Sequence, residues 1–328
     1  MFPHRALRRS DLPSRRGPLG RTAVASVVLL GVTAAGTAGS VYVTTRAHDT
    51  GLLVSSSSSP GTTRAAAATE ETTVESATTP ASAPTSAPPV DRDALLAEAM
   101  AGLAVGAGAR VSVAVLDTAS GAGAVYGDGA FDTASIVKVD ILAALLLRAQ
   151  DAGRELTAQE KAYATAMIRD SDNASASALW TAIGRAQGLA EANKRFGLDG
   201  TEGGDGPLWG LTQTTAADQL TLLQKVFGDD SELDETSRDC LRGLMGEISA
   251  GQDWGVSAAG PSGFALKNGW LPRSATGLWD INSVGRVTAA DGRAYLVAVL
   301  SDGNTTKAEG ISLVEAAAKA AVSVLAKT

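Results

Sequence analysis

The residue pattern predicts an α+β domain over residues 91–328: an antiparallel sheet flanked by N- and C-terminal helices, plus an inserted all-helical subdomain. Two observations carry this prediction. Strand-like runs stand at both ends of the stretch, and the residues between them repeat with a helical period. A third sets the boundary: residues 44–90 are rich in Ser, Thr, Ala and Pro and cannot bury enough apolar surface to offset their chain entropy.

The elements follow in order. Asp91 to Val105 has the spacing of a helix, and Val111 to Leu116 alternates like a strand. Asp117 to Gly123 reads as a turn, with a second strand beginning at Ala124 to Tyr126. Ile136 to Gln150 is strongly apolar, uncharged between Asp140 and Arg148, and is expected to be a central buried helix. Thr157 and Glu160 have the spacing of a capping box, opening a helix to about Ile168. Asn173 or a neighbour caps the next helix, to about Ile183, and another spans Ala190 to Phe196. Gly197 to Leu211 is glycine-rich and aperiodic, hence a loop. Thr215 to Phe227 and Asp234 to Ile248 are helical. Strands are expected at Phe264 to Lys267, Leu278 to Val287 and Ala294 to Leu300, and a closing helix at Lys307 to Ala326.

Ahead of the domain lie three segments. Residues 1–21 are basic, with Arg5, Arg8, Arg9, Arg15, Arg16 and Arg21 against Asp11. Residues 22–43 carry no charge and match the roughly 20 residues a helix needs to cross a bilayer, so they read as a transmembrane anchor or an export signal. The arginines place the start in the cytoplasm, which puts the domain in or on the cell membrane's outer side, or secreted if the segment is cleaved. Residues 44–90 then form a disordered linker.

Composition excludes several functions. The net charge is −7, and the basic excess of the N-terminus makes 91–328 more acidic still, which disfavours nucleic acid as a partner. The single cysteine, Cys240, rules out an internal disulfide and lies in a helical pattern that suits a structural thiol. The two histidines, His4 and His48, both precede the domain. A Ser-His-Asp triad and a His-ligated metal site are therefore impossible within it, and no cofactor is expected. Covalent chemistry there needs a lysine or a carboxylate as its base. A monomer is expected.

Three short motifs meet that need: Ser135-Ile136-Val137-Lys138, Ser171-Asp172-Asn173 and Lys267-Asn268-Gly269. Ser135 opens the apolar helix, and Lys138 lies one helical turn on, within reach of its hydroxyl. Burial beside another cation depresses a lysine, and the neutral amine can take the serine proton. Ser171 offers a second hydroxyl for proton relay and Asn173 an amide for a substrate carbonyl. Lys267 is expected at a strand end facing a cleft, where it can bind a carboxylate and help depress Lys138. Gly269 permits close approach to the backbone. Singly, each motif also suits an ordinary cap or turn. In one order and in these settings, they point to a serine acyl-transfer site.

The set resembles the penicillin-recognising serine enzymes, most closely class A β-lactamases and their relatives, over about 91–328; Gly210 to Thr215 also looks like that family's segment after its active-site loop. The resemblance implies Ser135 as the acylated nucleophile, Lys138 as its proton acceptor and Ser171 as the relay. Asn173 and Lys267 would hold the substrate, and the backbone N–H groups of Ser135 and Trp270 would form the oxyanion hole. It implies β-lactams or D-alanyl peptides as substrates.

Three departures stand out. The third motif carries Asn268 where the family has a hydroxyl residue, and the stretch from Ser135 to Ser171 is short, which removes part of one cleft wall. The loop over 197–210 lacks the family's E-x-x-L-N pattern and offers Asp199, Glu202 and Asp205 among glycines. That pattern supplies the base for deacylation, so slow release is expected. The same residues are compatible with a D,D-peptidase-like enzyme of peptidoglycan, or with a binding module of the same fold that has lost turnover. Trp209, Trp270 and Trp279 are expected near the cleft.

Overall fold

The computed structural model describes residues 90–327. The readings at 1–21, 22–43 and 44–90 lie outside the described residues, but for Val90. Among the described residues, no helix is long and apolar enough to cross a membrane.

Helix α1 (Arg92–Ala101) precedes strands β1 (Arg110–Asp117), β2 (Gly123–Tyr126) and the short β3 (Phe131–Asp132). A helical block follows: α2 (Val137–Asp151), α3 (Ala158–Arg169), α4 (Asn173–Ala182) and α5 (Arg185–Phe196). A loop leads to β4 (Gln213–Thr214), α6 (Ala216–Phe227) and α7 (Glu235–Gly246). The chain then returns to the sheet as β5 (Gly263–Pro272), β6 (Trp279–Thr288) and β7 (Ala294–Asn304), and closes with α8 (Lys307–Lys327). The five-stranded sheet has the order β2-β1-β7-β6-β5 and is antiparallel throughout. This is the expected α+β plan.

The sheet is covered on both faces, which is why its central strands read as nearly unbroken apolar runs. Successive side chains alternate between faces. On β7, Leu296, Ala298 and Leu300 join the core of the helical block, while Tyr295, Val297 and Val299 join the core beneath α1 and α8. Helix α2 runs through the first of these cores, and from Val137 to Leu147 every one of its residues is buried. That stretch includes two charged groups, Lys138 and Asp140, and their burial has to be explained by what they touch.

The caps agree with local chemistry. Thr157 accepts from the Glu160 N–H while Glu160 accepts from the Thr157 N–H, the full capping box. Asp172, rather than Asn173, caps α4 by accepting from Ser175 N at 2.9 Å. Helix α1 stops at Ala101, short of the expected Val105, and β7 runs to Asn304, past the expected Leu300. Two further boundaries differ for identifiable reasons. Helix α5 starts at Arg185, well before Ala190, because Gly188 is no breaker: a Cβ there would lie 1.7 Å from the Ile183 carbonyl oxygen, so glycine is what lets the helix begin tightly. Strand β5 runs on past Gly269 to Pro272. It is the sheet's edge strand, where proline costs no ladder hydrogen bond. Lys267-Asn268-Gly269 therefore lies inside a strand and does not end one. Cys240 is half-buried, and burial pushes its thiol up.

Candidate active site

Ser135 does not cap α2. It sits in a 3-10 turn, Ala134–Ile136, that runs straight into the helix. Two features hold the turn. Ala134 adopts a left-handed φ of 48°, and Asn282 of β6 donates to the carbonyls of Asp132 (2.9 Å) and Thr133 (3.0 Å). Asn282 was not singled out from the sequence, although a polar side chain amid the buried run of β6 is a visible signal.

Gly269 presses its backbone against this turn. A Cβ on it would lie 2.7 Å from the Thr133 oxygen and 2.9 Å from the Ser135 nitrogen, so no larger residue fits without displacing Ser135. The register pairs Gly269 with Asn282, so glycine and clamp act at the same level of the sheet.

Lys138 is fully buried. Its amine donates to the Ser171 carbonyl at 2.7 Å, the Ser171 Oγ at 3.0 Å and Asn173 Oδ1 at 2.8 Å. Burial lowers its pKa to about 7, against the smaller opposing pull of Asp172. Lys267 is buried as well, and its amine donates to the same Ser171 Oγ at 3.1 Å and to the Asn268 carbonyl at 2.8 Å. Burial first, and the charge of Lys138 second, push it well below the usual lysine range. So the depression expected for Lys138 comes from desolvation, and the repulsion between the amines falls on Lys267. The serine between them has a left-handed φ of 56°, the conformation that turns its hydroxyl and carbonyl to the same amine.

Strand alternation sends Asn268 and Trp270 to the face opposite Lys267. Asn268 donates to the carbonyls of Gln252 (2.8 Å) and Trp254 (2.9 Å), so the missing hydroxyl is replaced by a loop tie away from the lysines. The Trp270 ring packs with Trp254 and lies 4.2 Å from Lys307 Nζ. Trp279 packs in that same core. Of the three tryptophans expected at the cleft, these two turn their rings to the α8 side, leaving the backbone of Trp270 near the turn.

Trp209 does face the site. Its ring lies 4.9 Å from Lys138 Nζ, and its indole N–H donates to Ser177 Oγ at 3.1 Å. A second indole, Trp180, holds the same loop through the Gly206 carbonyl at 2.8 Å. The loop carboxylates Asp199, Glu202 and Asp205 are all exposed. Asp172, the carboxylate whose charge reaches Lys138, is committed to its cap.

A family model described as the Beta-lactamase enzyme family matches residues 147–325. The chain belongs to the Beta-lactamase enzyme family. The match begins beyond Ser135 and Lys138 and does not bear on the first motif. Among solved structures, a penicillin G acyl-enzyme complex of a PBP-A variant superposes with a TM-score of 0.62 at 20% identity, covering 72% of this chain and 97% of that one. A class A β-lactamase from Bacteroides cellulosilyticus gives 0.62 at 18% identity, covering 72% and 99%. The TLA-1 extended-spectrum β-lactamase gives 0.61 at 16%, covering 71% and 98%. At these identities the likeness is one of fold. No curated protein sequence matches this β-lactamase-family chain. Family and fold together make it a serine hydrolase of the acyl-enzyme type.

Proposed function

We propose that Ser135 is the nucleophile and that the substrates are β-lactams or D-alanyl peptides, with acylation competent and deacylation slow. The observation that carries this is the Ser171 hydroxyl, held between two buried amines at 3.0 and 3.1 Å. Neutral Lys138 takes the Ser135 proton as Oγ attacks the carbonyl carbon, and the backbone N–H groups of Ser135 and Trp270 receive the oxyanion. The amide C–N bond breaks, and the leaving nitrogen takes a proton from Ser171, which regains one from Lys138. Lys267 in its charged form binds the substrate carboxylate, which raises its pKa on binding. Asn173 holds the substrate's carbonyl side. Water must then cleave the ester. The exposure of Asp199, Glu202 and Asp205 and the prior engagement of Asp172 support a poorly served second step.

The reading includes an extracytoplasmic domain, supported by the uncharged run at 22–43 and the linker composition that follows. The test is intact-protein mass of the full-length chain after a short exposure to penicillin, beside Ser135→Ala. An adduct that persists for hours and is absent from the variant is the expected result. An adduct that vanishes as penicillin is consumed replaces slow deacylation with efficient β-lactam hydrolysis. No adduct, with penicillin unconsumed, overturns the reading.

A further inference from the structure

Two buried oxygens beside the site lack partners: Oδ2 of Asp140 and Oε1 of Gln219. Both side chains are buried, and they already meet, with Gln219 Nε2 donating to Asp140 Oδ1 at 3.2 Å. An ionised Asp140 would leave two buried acceptors, on side chains that already touch, with no donor. One proton on Oδ2 removes both deficits. It donates to Gln219 Oε1 while Nε2 donates to Oδ1, closing a two-bond ring between a carboxylic acid and an amide. We propose that Asp140 is held as the neutral acid in a closed pair with Gln219, and that this pair is a positioning element fastening α2 to the Trp209 loop.

The rest of the chain of contacts follows one direction. The other Gln219 amide hydrogen goes to Thr214 Oγ1 at 3.1 Å. Thr214 and Thr201 share a bond of 2.8 Å, and Thr201 donates to Asp218 Oδ2 at 2.6 Å, where the Gly200 N–H also arrives at 2.9 Å. These donors thus run in one direction, toward the Asp218 side chain. The charges facing the pair agree with this order. From α6 comes Asp218, whose negative charge adds to burial in raising Asp140 to about 7. From β4 come Gln213 and Thr214, which bring no charge. On α2 itself, Lys138 is turned to Ser171 and Asn173.

The position of the network gives it a role. Thr214 pairs with Phe131 of β3, just ahead of the Ser135 turn, and Thr133 N donates to the Thr212 carbonyl at 2.8 Å. The Thr212 hydroxyl in turn accepts from Gly204 N at 3.2 Å, within the loop that carries Trp209. The acid–amide pair therefore ties the chain before Ser135 to the helix after it. This positioning half rests on the reading of Ser135 as the acylated group; the protonation half does not.

The first test is melting temperature against pH for the full-length chain and Asp140→Asn. Asparagine offers the same shape, a carbonyl and an amide, and closes the pair without a titrating proton. A carboxyl raised in the folded state contributes stability that is whole below its ordinary 3.8 and is lost as pH rises through about 7. The native chain is expected to lose melting temperature across that window relative to the variant; parallel curves overturn the protonation. Carbon-13 titration of the aspartate carboxyls gives a second answer. A signal that titrates well above the ordinary 3.8 and is missing from Asp140→Asn is expected, separate from that of Asp280, which burial also raises; no such signal overturns the protonation.

The positioning half is read from the pH profile of penicillin adduct formation. Its alkaline fall should move to higher pH in Asp140→Asn, and Asp140→Leu should be slow throughout. A limb that stays in place overturns positioning. Should neither protein form an adduct, the Ser135 reading fails and positioning with it, while the melting curves still decide the proton.

Discussion

The two sides of the site are built by opposite rules. The Ser171 side draws Lys138 and Lys267 from a buried helix and from the buried middle of an edge strand, strips both of water and shares one hydroxyl between them. The loop between α5 and β4 places an aromatic ring near the same lysine and leaves its carboxylates in solvent. Desolvation is what makes a lysine a base at neutral pH, and a regular element is what holds that desolvation fixed. A carboxylate base needs the same treatment, and the loop gives it to none. On the proposed mechanism acylation and release are separable properties, and the contrast between the two sides is what supports a fast first step and a slow second one.

The sharpest way to break the comparison is Ser135→Ala, which should abolish the covalent adduct in mass spectra while leaving the far-ultraviolet circular dichroism unchanged. Next is Lys138→Ala, expected to slow acylation by about 10²–10⁴-fold, the range for losing a positioned base. In Asp140→Asn, where no carboxyl titrates beside the helix, the acylation rate should rise as pH increases through about 7 if the neutral Lys138 amine is the acceptor as proposed. A rate flat across that range would mean the base lies elsewhere. Gly269→Ala comes third. Its Cβ would meet the Thr133 carbonyl and the Ser135 nitrogen, so it should cost about 1–3 kcal/mol in denaturant unfolding and slow acylation as well. Thr157→Ala is the smallest and serves as the control on the far side: loss of the capping box should cost about 1 kcal/mol and leave the adduct rate untouched.

Much of this was legible in the sequence where local chemistry decides. The capping box at Thr157 and Glu160 follows from two residues at a fixed spacing, and the α2 core follows from a long uncharged run. The three motifs could be found because each sits at the boundary or inside of a periodic element. What was missed depends on tertiary placement. Nothing local says that β5 lies at the sheet edge, so Pro272 could not be read as tolerable within it. Trp209 reaches Lys138 through a loop with no period at all. Asp140 looked like one more charge on a helix, and its significance appears once Gln219 is brought across from a helix many residues later.

Ser171 carries one more consequence. A non-glycine residue in the left-handed region holds its backbone at a cost of about 1–2 kcal/mol. The protein accepts that strain to bring a hydroxyl between two amines, and glycine would adopt the same backbone freely. Ser171→Gly should therefore melt no lower than the native chain while losing the hydroxyl shared by Lys138 and Lys267. If Ser171 relays the proton as proposed, thermal stability and reactivity pull apart at this position, and a screen for stabilised variants would select against the reaction.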